Sequence, residues 1–388
     1  MARVVFAPDS FKGSASALEA ARALADGWHL ERPGDELRVL PMADGGEGTL
    51  DAFEAAVPGA ERRPVEVTGP DGRRIESHWL WLPGSGEAGS GGVGVVELAA
   101  TSGLTLLDEL RAQDAQTTGF GEAIAAALDA GVQRLVLAIG GSSSTDAGAG
   151  ALGALGARFL DAADRPVRPG NRGLADAVSA DFSGVRPLPP GGVQVVSDVT
   201  SPLFGPAGAA HVFGAQKGAD AAVRSVMDEN LRRFAALIPV DPWTPGAGAA
   251  GGTGFGLLAW GASARPQLPA SDGETARVAL VAGALAVSDA MGLADAMRSA
   301  DAVVTGEGRF DEQSRVGKVP AHVAEVAATE TAGRAEVFLA AGSIQASTTG
   351  FTSSADLSVL AGSVDAAIAS PLPYLREAGA LLARSYRA

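Results

Sequence analysis

An α/β protein of two domains is what this sequence predicts, one assembled from both chain ends and the other inserted within it. Three observations lead there. Short apolar runs alternate with Ala-rich helical stretches near both termini. The middle of the chain changes to short strands broken by Gly/Pro-rich loops, and 388 residues suffice for two or three separate cores. Strands that alternate with helices imply parallel βαβ units and a covered sheet.

The first run, "RVVFAPD", leads into "SALEAARALADGW". There Ser16 and Glu19 are spaced for a capping box, and Leu18, Ala21 and Trp28 recur at near-helical spacing. "ELRVLPMAD" then leads into "GTLDAFEAAV". From residue 65 the pattern breaks, with strands expected at 65–68, 76–81, 93–98, 134–139, 193–197 and 211–213, separated by loops such as "LPGSGEAGSGG" and "RPLPPGG". Alternation returns with "DAVVTGEG" (301–308) and, after a loop, "PAHVAEVAATE". "EVFLAAGS" (336–343) and "DLSVL" (356–360) follow, then a helical segment near 374–386. The two ends therefore supply five strands, a flavodoxin-like sheet built from 1–64 and 291–388, with 65–290 as the inserted α/β domain.

Composition narrows the function. The formal charge is −15 with no basic run, which argues against nucleic acid as a partner. No apolar run approaches the ~20 residues that span a bilayer, and the N-terminal stretch reads as a buried strand, so a cytoplasmic protein is expected. Without cysteine there is no disulfide framework, thiolate nucleophile or Cys-based metal site. Of 30 basic residues only three are lysines, Lys12, Lys217 and Lys318, each directly beside a glycine in the runs "SFKGS", "AQKGA" and "VGKVP". Arginine evidently supplies the general surface charge. An acidic protein that binds a small phosphorylated ligand needs local cations, a metal ion or helix N-termini, and these lysines suit that role.

In open parallel sheets, ligands bind beyond the carboxyl ends of the strands. Asp9, Asp44 and Glu307 fall at such ends, with Lys12 and Lys318 a few residues into the same loops. An acid in that position commonly caps a helix or forms a turn. What marks these three is the company of lysines and of Gly45 and Gly46, the parts of a Mg²⁺–nucleotide site. The inserted region adds "RLVLAIGGSSSTDAGAGALGALGARF", a strand, a Gly-Ser loop and a helix beginning near Asp146. Small residues there let the backbone wrap an anion, and Ser142, Ser143, Ser144 and Thr145 add hydroxyl donors. "VQVVSDVTSPLFGPAGAAHVFGAQKGAD" puts Asp198 at another strand end and Lys217 before Gly218. "PGAGAAGGTGFG" (245–256) allows close backbone approach to a ligand, or tight packing.

Other signals fail. "GAGAAG" (246–251) follows a stretch with two prolines, and "GAGALG" (148–153) lacks an acid about 20 residues on, so neither makes a good dinucleotide fingerprint. No Walker-type G-x-x-x-x-G-K-[ST] occurs, and His29, His78, His211 and His322 show no metal-ligand spacing.

Seven ordered segments, "APDSFKGSASALEA", "PMADGGEGT", "VTGPDG", "IGGSSSTDAGAGALGALGA", "DVTSPLFGPAGAAHVFGAQKGA", "PGAGAAGGTG" and "VVTGEGRFDEQSRVGKVPAHVA", together resemble the type I glycerate kinase family of bacteria. The resemblance implies ATP- and Mg²⁺-dependent phosphorylation of glycerate, leaning toward the 2-phosphate, in a two-domain α/β enzyme with its site in the cleft between. Within that expectation, residue chemistry suggests roles. Asp44, Glu307 and Asp311 would hold Mg²⁺; Lys12 and Lys217 would offset charge on the transferring phosphoryl group. Asp198 is the expected base, with Asp9 in reserve. Arg309 or Lys318 would hold the glycerate carboxylate, and the loop at 140–146, Asp146 included, would donate to phosphate or substrate. Two alternatives stay open at this point: a kinase of another small hydroxy acid, and an NAD(P)-dependent hydroxy-acid oxidoreductase.

Overall fold

A computed structural model describes residues 1–11, 13–43, 48–84, 91–263, 277–281, 283–312, 314–315 and 318–387. The chain divides into two compact units, Met1–Pro58 with Ala282–Ala388, and Gly59–Val281.

The first unit is built on β1 (Arg3–Phe6), β2 (Glu36–Val39), β11 (Ala302–Phe310), β12 (Glu336–Ile344) and β13 (Ser353–Asp356). All neighbours are parallel, in the order β2-β1-β11-β12-β13, with Val4 opposite both Leu37 and Ala302. Numbered within the unit this is 2-1-3-4-5, the doubly wound order of flavodoxin-like sheets. The chain leaves β1 toward one edge and β11 toward the other, so the sheet's switch point lies between those two strands.

Helix Ala17–Glu31 starts on the expected capping box, Ser16 with Glu19. Its inner face delivers Trp28 into the core, edge-on to Phe6 (centroids 6.0 Å apart) and Phe338 (5.7 Å), while the indole N–H donates to Asp35 at 3.1 Å. An aromatic of this size buries large apolar area, and satisfying its one polar atom removes the penalty for doing so. The same helix packs on Pro371–Ser385 through a reciprocal pair of glycines. A Cβ on Gly27 would sit 1.8 Å from the carbonyl of Arg376, and one on Gly379 would sit 2.1 Å from that of Leu24.

The inserted unit is built on β3 (Glu61–Thr68), β4 (Arg74–Leu82), β5 (Val93–Glu97), β6 (Arg134–Ala138), β9 (Val193–Val196) and β10 (Val278–Val281). These form a six-stranded sheet in the order β10-β9-β6-β5-β4-β3. β5, β6, β9 and β10 run parallel, and β3 and β4 add an antiparallel flank. "VTGPDG" is the β3–β4 hairpin turn, closed by Gly69 N–H to Arg73 O at 2.7 Å. Pro64, which has no amide proton, is tolerated because β3 is the edge strand. β6 is buried along nearly its whole length, as a central parallel strand should be. A small ribbon pairs β7 (Arg158–Leu160) with β8 (Ser179–Asp181).

Several expectations shift. The boundaries at 64 and 290 fall instead at 58 and 281, because β3 pairs with β4 from Glu61 onward and β10 joins β9. Residues 211–213 are helical, within Ala209–Phe213, rather than a strand. Residues 357–360 belong to helix Leu357–Ala361, which Asp356 caps by accepting from the Ser358 amide, so β13 lies just upstream of its expected place. The helix expected near Asp146 begins at Ala149. Among the described residues no helix is long and apolar enough to cross a membrane.

Candidate active site

At the switch point of the first unit, β1 and β11 run on beyond their regular pairing, the Asp9 amide donating to Gly306 O at 2.8 Å. That contact brings the Asp9 and Glu307 loops to one level. Both side chains are buried, and both line a cavity of about 490 Å³ within this unit. Lys318 enters the same cavity from the N-cap of helix Val319–Glu330, its Nζ 3.9 Å from Glu307 Oε2. A helix N-terminus adds outward-pointing backbone N–H groups to the ammonium, which suits a ligand carrying negative charge. Arg309 also lines the cavity; two residues past Glu307 on β11, it shares that residue's side of the strand.

Of the expected metal trio, Glu307 is in the cavity, whereas Asp311 is engaged in a turn. Its Oδ1 accepts from the Ser314 amide at 3.3 Å, and its Oδ2 lies 3.4 Å from Arg309 Nε. Asp44 lies outside the described residues, as do Lys12, Gly45 and Gly46. Among the described residues no three His, Asp or Glu side chains stand close enough together to enclose a metal ion. Asp9 with Glu307 nevertheless gives two carboxylates in one cavity, the oxygen-only donor set that Mg²⁺ takes from proteins, with waters and phosphates completing its shell.

In the inserted unit, β5, β6 and β9 end together: Glu97 pairs with Ala138, and Ala138 with Val196. The Gly-Ser loop leaves β6 beside the start of the Asp198 loop, and Asp198, two residues past β9, is exposed. The loop itself is turned inward. The Ser143 hydroxyl donates to Ser102 O at 2.8 Å, and the Ser142 hydroxyl lies 3.2 Å from both Ser144 Oγ and Ala250 O. Asp146 is fully buried and accepts four hydrogen bonds, from the Thr117 amide (2.9 Å) and hydroxyl (2.8 Å) and from the amides of Gly148 (3.2 Å) and Gly150 (3.3 Å). Burial pushes its carboxyl above the ordinary range, against those donors. The hydroxyls of Thr145 and Ser102 have no partner among the described residues. Thr145 belongs to the Gly-Ser loop and Ser102 ends the neighbouring helix Ala99–Ser102, and these are the donors left over for something else.

Lys217 is the least expected of the site residues. Its side chain is only 2 % exposed, and its ammonium donates into the Gly-Ser loop, to Ser144 O and, at 3.5 Å, to Ser142 Oγ. Burial lowers its pKa to about 7, with the Asp146 charge opposing the shift. On the loop's other side, Ala250, Gly251 and Gly252 all adopt left-handed backbone conformations. Gly251 is obligatory there, since a Cβ would stand 2.0 Å from Ser144 O. Ala250 has no such licence and costs about 1–2 kcal/mol. Strain of that kind persists where the surroundings over-determine it. The glycine-dense "PGAGAAGGTG" thus serves tight packing against the loop.

A profile of the glycerate kinase family matches residues 4–387. The chain belongs to the glycerate kinase family. It is 41% identical over 333 residues to the glycerate kinase of Bacillus subtilis (strain 168), covering 84% of this chain and 81% of that one. It is 40% identical to the glycerate 2-kinase of Escherichia coli (strain K12), over 84% and 82%. A crystal structure from Salmonella typhimurium LT2, described as a candidate glycerate kinase 2, superposes with a TM-score of 0.80 at 34% identity, covering 99% of this chain and 98% of that one. The resemblance carried by the seven ordered segments is borne out.

Against that family background, the structure adds residues that the motifs did not single out. Asn171 is buried and donates to Thr145 O at 2.9 Å and to Met227 O at 3.2 Å; Asn230 in turn donates to Asn171 Oδ1 at 3.0 Å. Together with Thr117 they fix the Gly-Ser loop from behind. Their signal in the sequence is weak, since Asn171 opens the short helix Asn171–Leu174 and Asn230 is a single polar residue within the helix Ala221–Ala235. Asp146 is the most demanding member of the network. Asp146→Ala would strand four donors in the core, so a loss of at least ~3 kcal/mol is expected, visible as a fall on the order of 10 °C in the unfolding midpoint by circular dichroism. An unchanged midpoint would mean that these bonds contribute nothing net.

Proposed function

We propose that this protein transfers the γ-phosphoryl group of ATP to glycerate, with the 2-hydroxyl of D-glycerate as acceptor, in the cytoplasm where ATP is available. Membership of the glycerate kinase family supports the reaction class, and the printed name of the Escherichia coli relative supports the 2-position. The observation that carries the reading is the switch-point cavity, where two buried carboxylates stand beside a lysine and a helix N-terminus.

Glu307 and Asp9 would hold Mg²⁺, joined by Asp44; the bound ion supplies charge neutralisation on the β- and γ-phosphates. Lys318 we assign to the phosphates, since its ammonium already stands near Glu307. Arg309, whose guanidinium is largely exposed, is assigned to the glycerate carboxylate, which its planar fork can grip through two parallel bonds. Lys12 remains assigned to the transferring group, with Gly45 and Gly46 lending backbone N–H groups. From the inserted unit, Asp198 is assigned as the base that takes the proton of the attacking hydroxyl. The Gly-Ser loop would contribute the hydroxyl of Thr145, and the adjoining helix Ala99–Ser102 that of Ser102. Lys217 and Asp146 would act by shaping that loop. In-line alignment of hydroxyl and γ-phosphorus is the main gain open to such an enzyme.

The reading is tested by adding D-glycerate, ATP and Mg²⁺ to the purified protein, following ADP release, and identifying the product by NMR. Glycerate-dependent ADP release with a 2-phosphate product, abolished by a chelator, is expected. Release of ADP only with a different hydroxy acid would overturn the substrate, and a 3-phosphate product the regiochemistry.

A further inference from the structure

The switch-point cavity is larger and less uniform than a three-carbon acid requires. It follows the carboxyl edge of four strands in turn, with Asp9 after β1, Glu307 on β11, Ser343 on β12 and Leu357 just past β13. Three interstrand spacings of ~4.8 Å make that edge roughly 14 Å long. The carbon chain of glycerate, at ~1.5 Å per bond, spans about a fifth of it. Even if each of its seven non-hydrogen atoms were allotted the ~30 Å³ of a liquid water, the acid would fill less than half of the 490 Å³.

The lining also changes along that length. At the β1–β11 end it is charged. At the β13 end it is aliphatic, formed by Leu357 and by Val364, Ala367 and Ile368 of the helix Val364–Ala369. Val364 and Ile368 stand four apart on that helix, hence on one face, and remain 47% and 51% exposed. Aliphatic side chains held open at the end of a cavity whose other end is built for charge match one class of ligand, an anion carrying a flat, largely apolar ring at the end of a chain.

We propose that the nucleotide lies along this edge, with its polyphosphate at Asp9, Glu307 and Lys318 and its base against Val364, Ala367 and Ile368. The proposal rests on the kinase reading for the identity of the ligand, and on the cavity for its placement.

The decisive variant is Ile368→Glu, with Val359→Glu as control. Val359 is 76% exposed on the neighbouring helix and does not line the cavity, so it tests for a mere effect of added charge. Two readouts are needed: binding of a fluorescent ATP analogue without glycerate, and the KM values for ATP and glycerate. Expected for Ile368→Glu is at least a tenfold loss of analogue affinity and a matching rise in the ATP KM, with the glycerate KM unmoved. Inorganic tripolyphosphate, which has no base, should compete equally well against wild type and variant. If ATP parameters hold while the glycerate KM rises, or if the control weakens the analogue as much, the placement is wrong. Wild-type protein that binds the analogue through Ile368 yet ignores glycerate would leave this placement standing and overturn the substrate assignment alone.

Discussion

Asp198→Asn is expected to lower kcat on glycerate by roughly 10²–10⁴-fold, the usual worth of a positioned general base. The residue sits two positions past β9, beside the strand whose end opens into the Gly-Ser loop, and it is exposed. Exposure decides how the experiment reads. Replacing a surface carboxylate by its isosteric amide keeps the side chain's shape, so thermal stability should stay within about 0.5 kcal/mol of wild type. The loss should therefore fall on turnover, with the ATP KM little changed, because an interaction used only in the transition state leaves ground-state binding alone. A variant that turns over normally moves the role to Asp9, whose own replacement would then be the test. Asp9 is the weaker candidate because it lines the same cavity as Glu307 and fits metal ligation there.

Much of this arrangement is legible in the sequence, for a physical reason. Parallel strands are separated by helices, so each strand end announces itself as an apolar run followed by a polar loop. Asp9 and Glu307 could be placed at one end of one sheet on that ground alone, and Asp198 likewise in the inserted unit. The capping box at Ser16 and Glu19 was readable because its spacing is local. Short apolar runs were not so readable. "HVF" at 211–213 and "LSVL" at 357–360 are too brief for periodicity to separate strand from helix, and their neighbours in space decided. The direction of a side chain is hidden in the same way. Nothing in "AQKGA" says that Lys217 turns into the protein, nor in "SSSTD" that four hydroxyls and a carboxylate do so as well. Those orientations depend on Asn171, Thr117 and Ala250, which lie far along the chain and meet the loop only in the folded state.

Lys217→Met should cost activity on the order of 10²-fold while leaving the protein folded. Methionine keeps most of the volume and the unbranched stem, so no large cavity opens. What it removes is the donor that ties Ser144 O and Ser142 Oγ together. The loop would keep its anchors at Ser102 and Asn171 but lose the one that draws its middle inward. A displacement of about 1 Å in a loop that positions reacting groups is enough for a loss of that size. Lys217→Arg should not rescue it. The guanidinium is wider and planar, the site is buried, and overpacking costs about 1–3 kcal/mol. A role based on charge alone would instead predict that arginine restores turnover, and near-normal activity in that variant would refute the clamp. Stability against pH supplies the second measurement. With a folded pKa of about 7 and an unfolded value near ~10.4, the unfolded chain binds more protons through that window, so the Lys217 contribution to stability rises with pH by up to about 1.4 kcal/mol per unit. Below pH ~7 both states are protonated and the slope disappears. The methionine variant lacks this term, so denaturant titrations at pH 7 and pH 9 should show wild type gaining stability relative to the variant at the higher pH. A difference that stays constant, or one that runs the other way, would mean that the Lys217 ammonium is not desolvated as the structure has it.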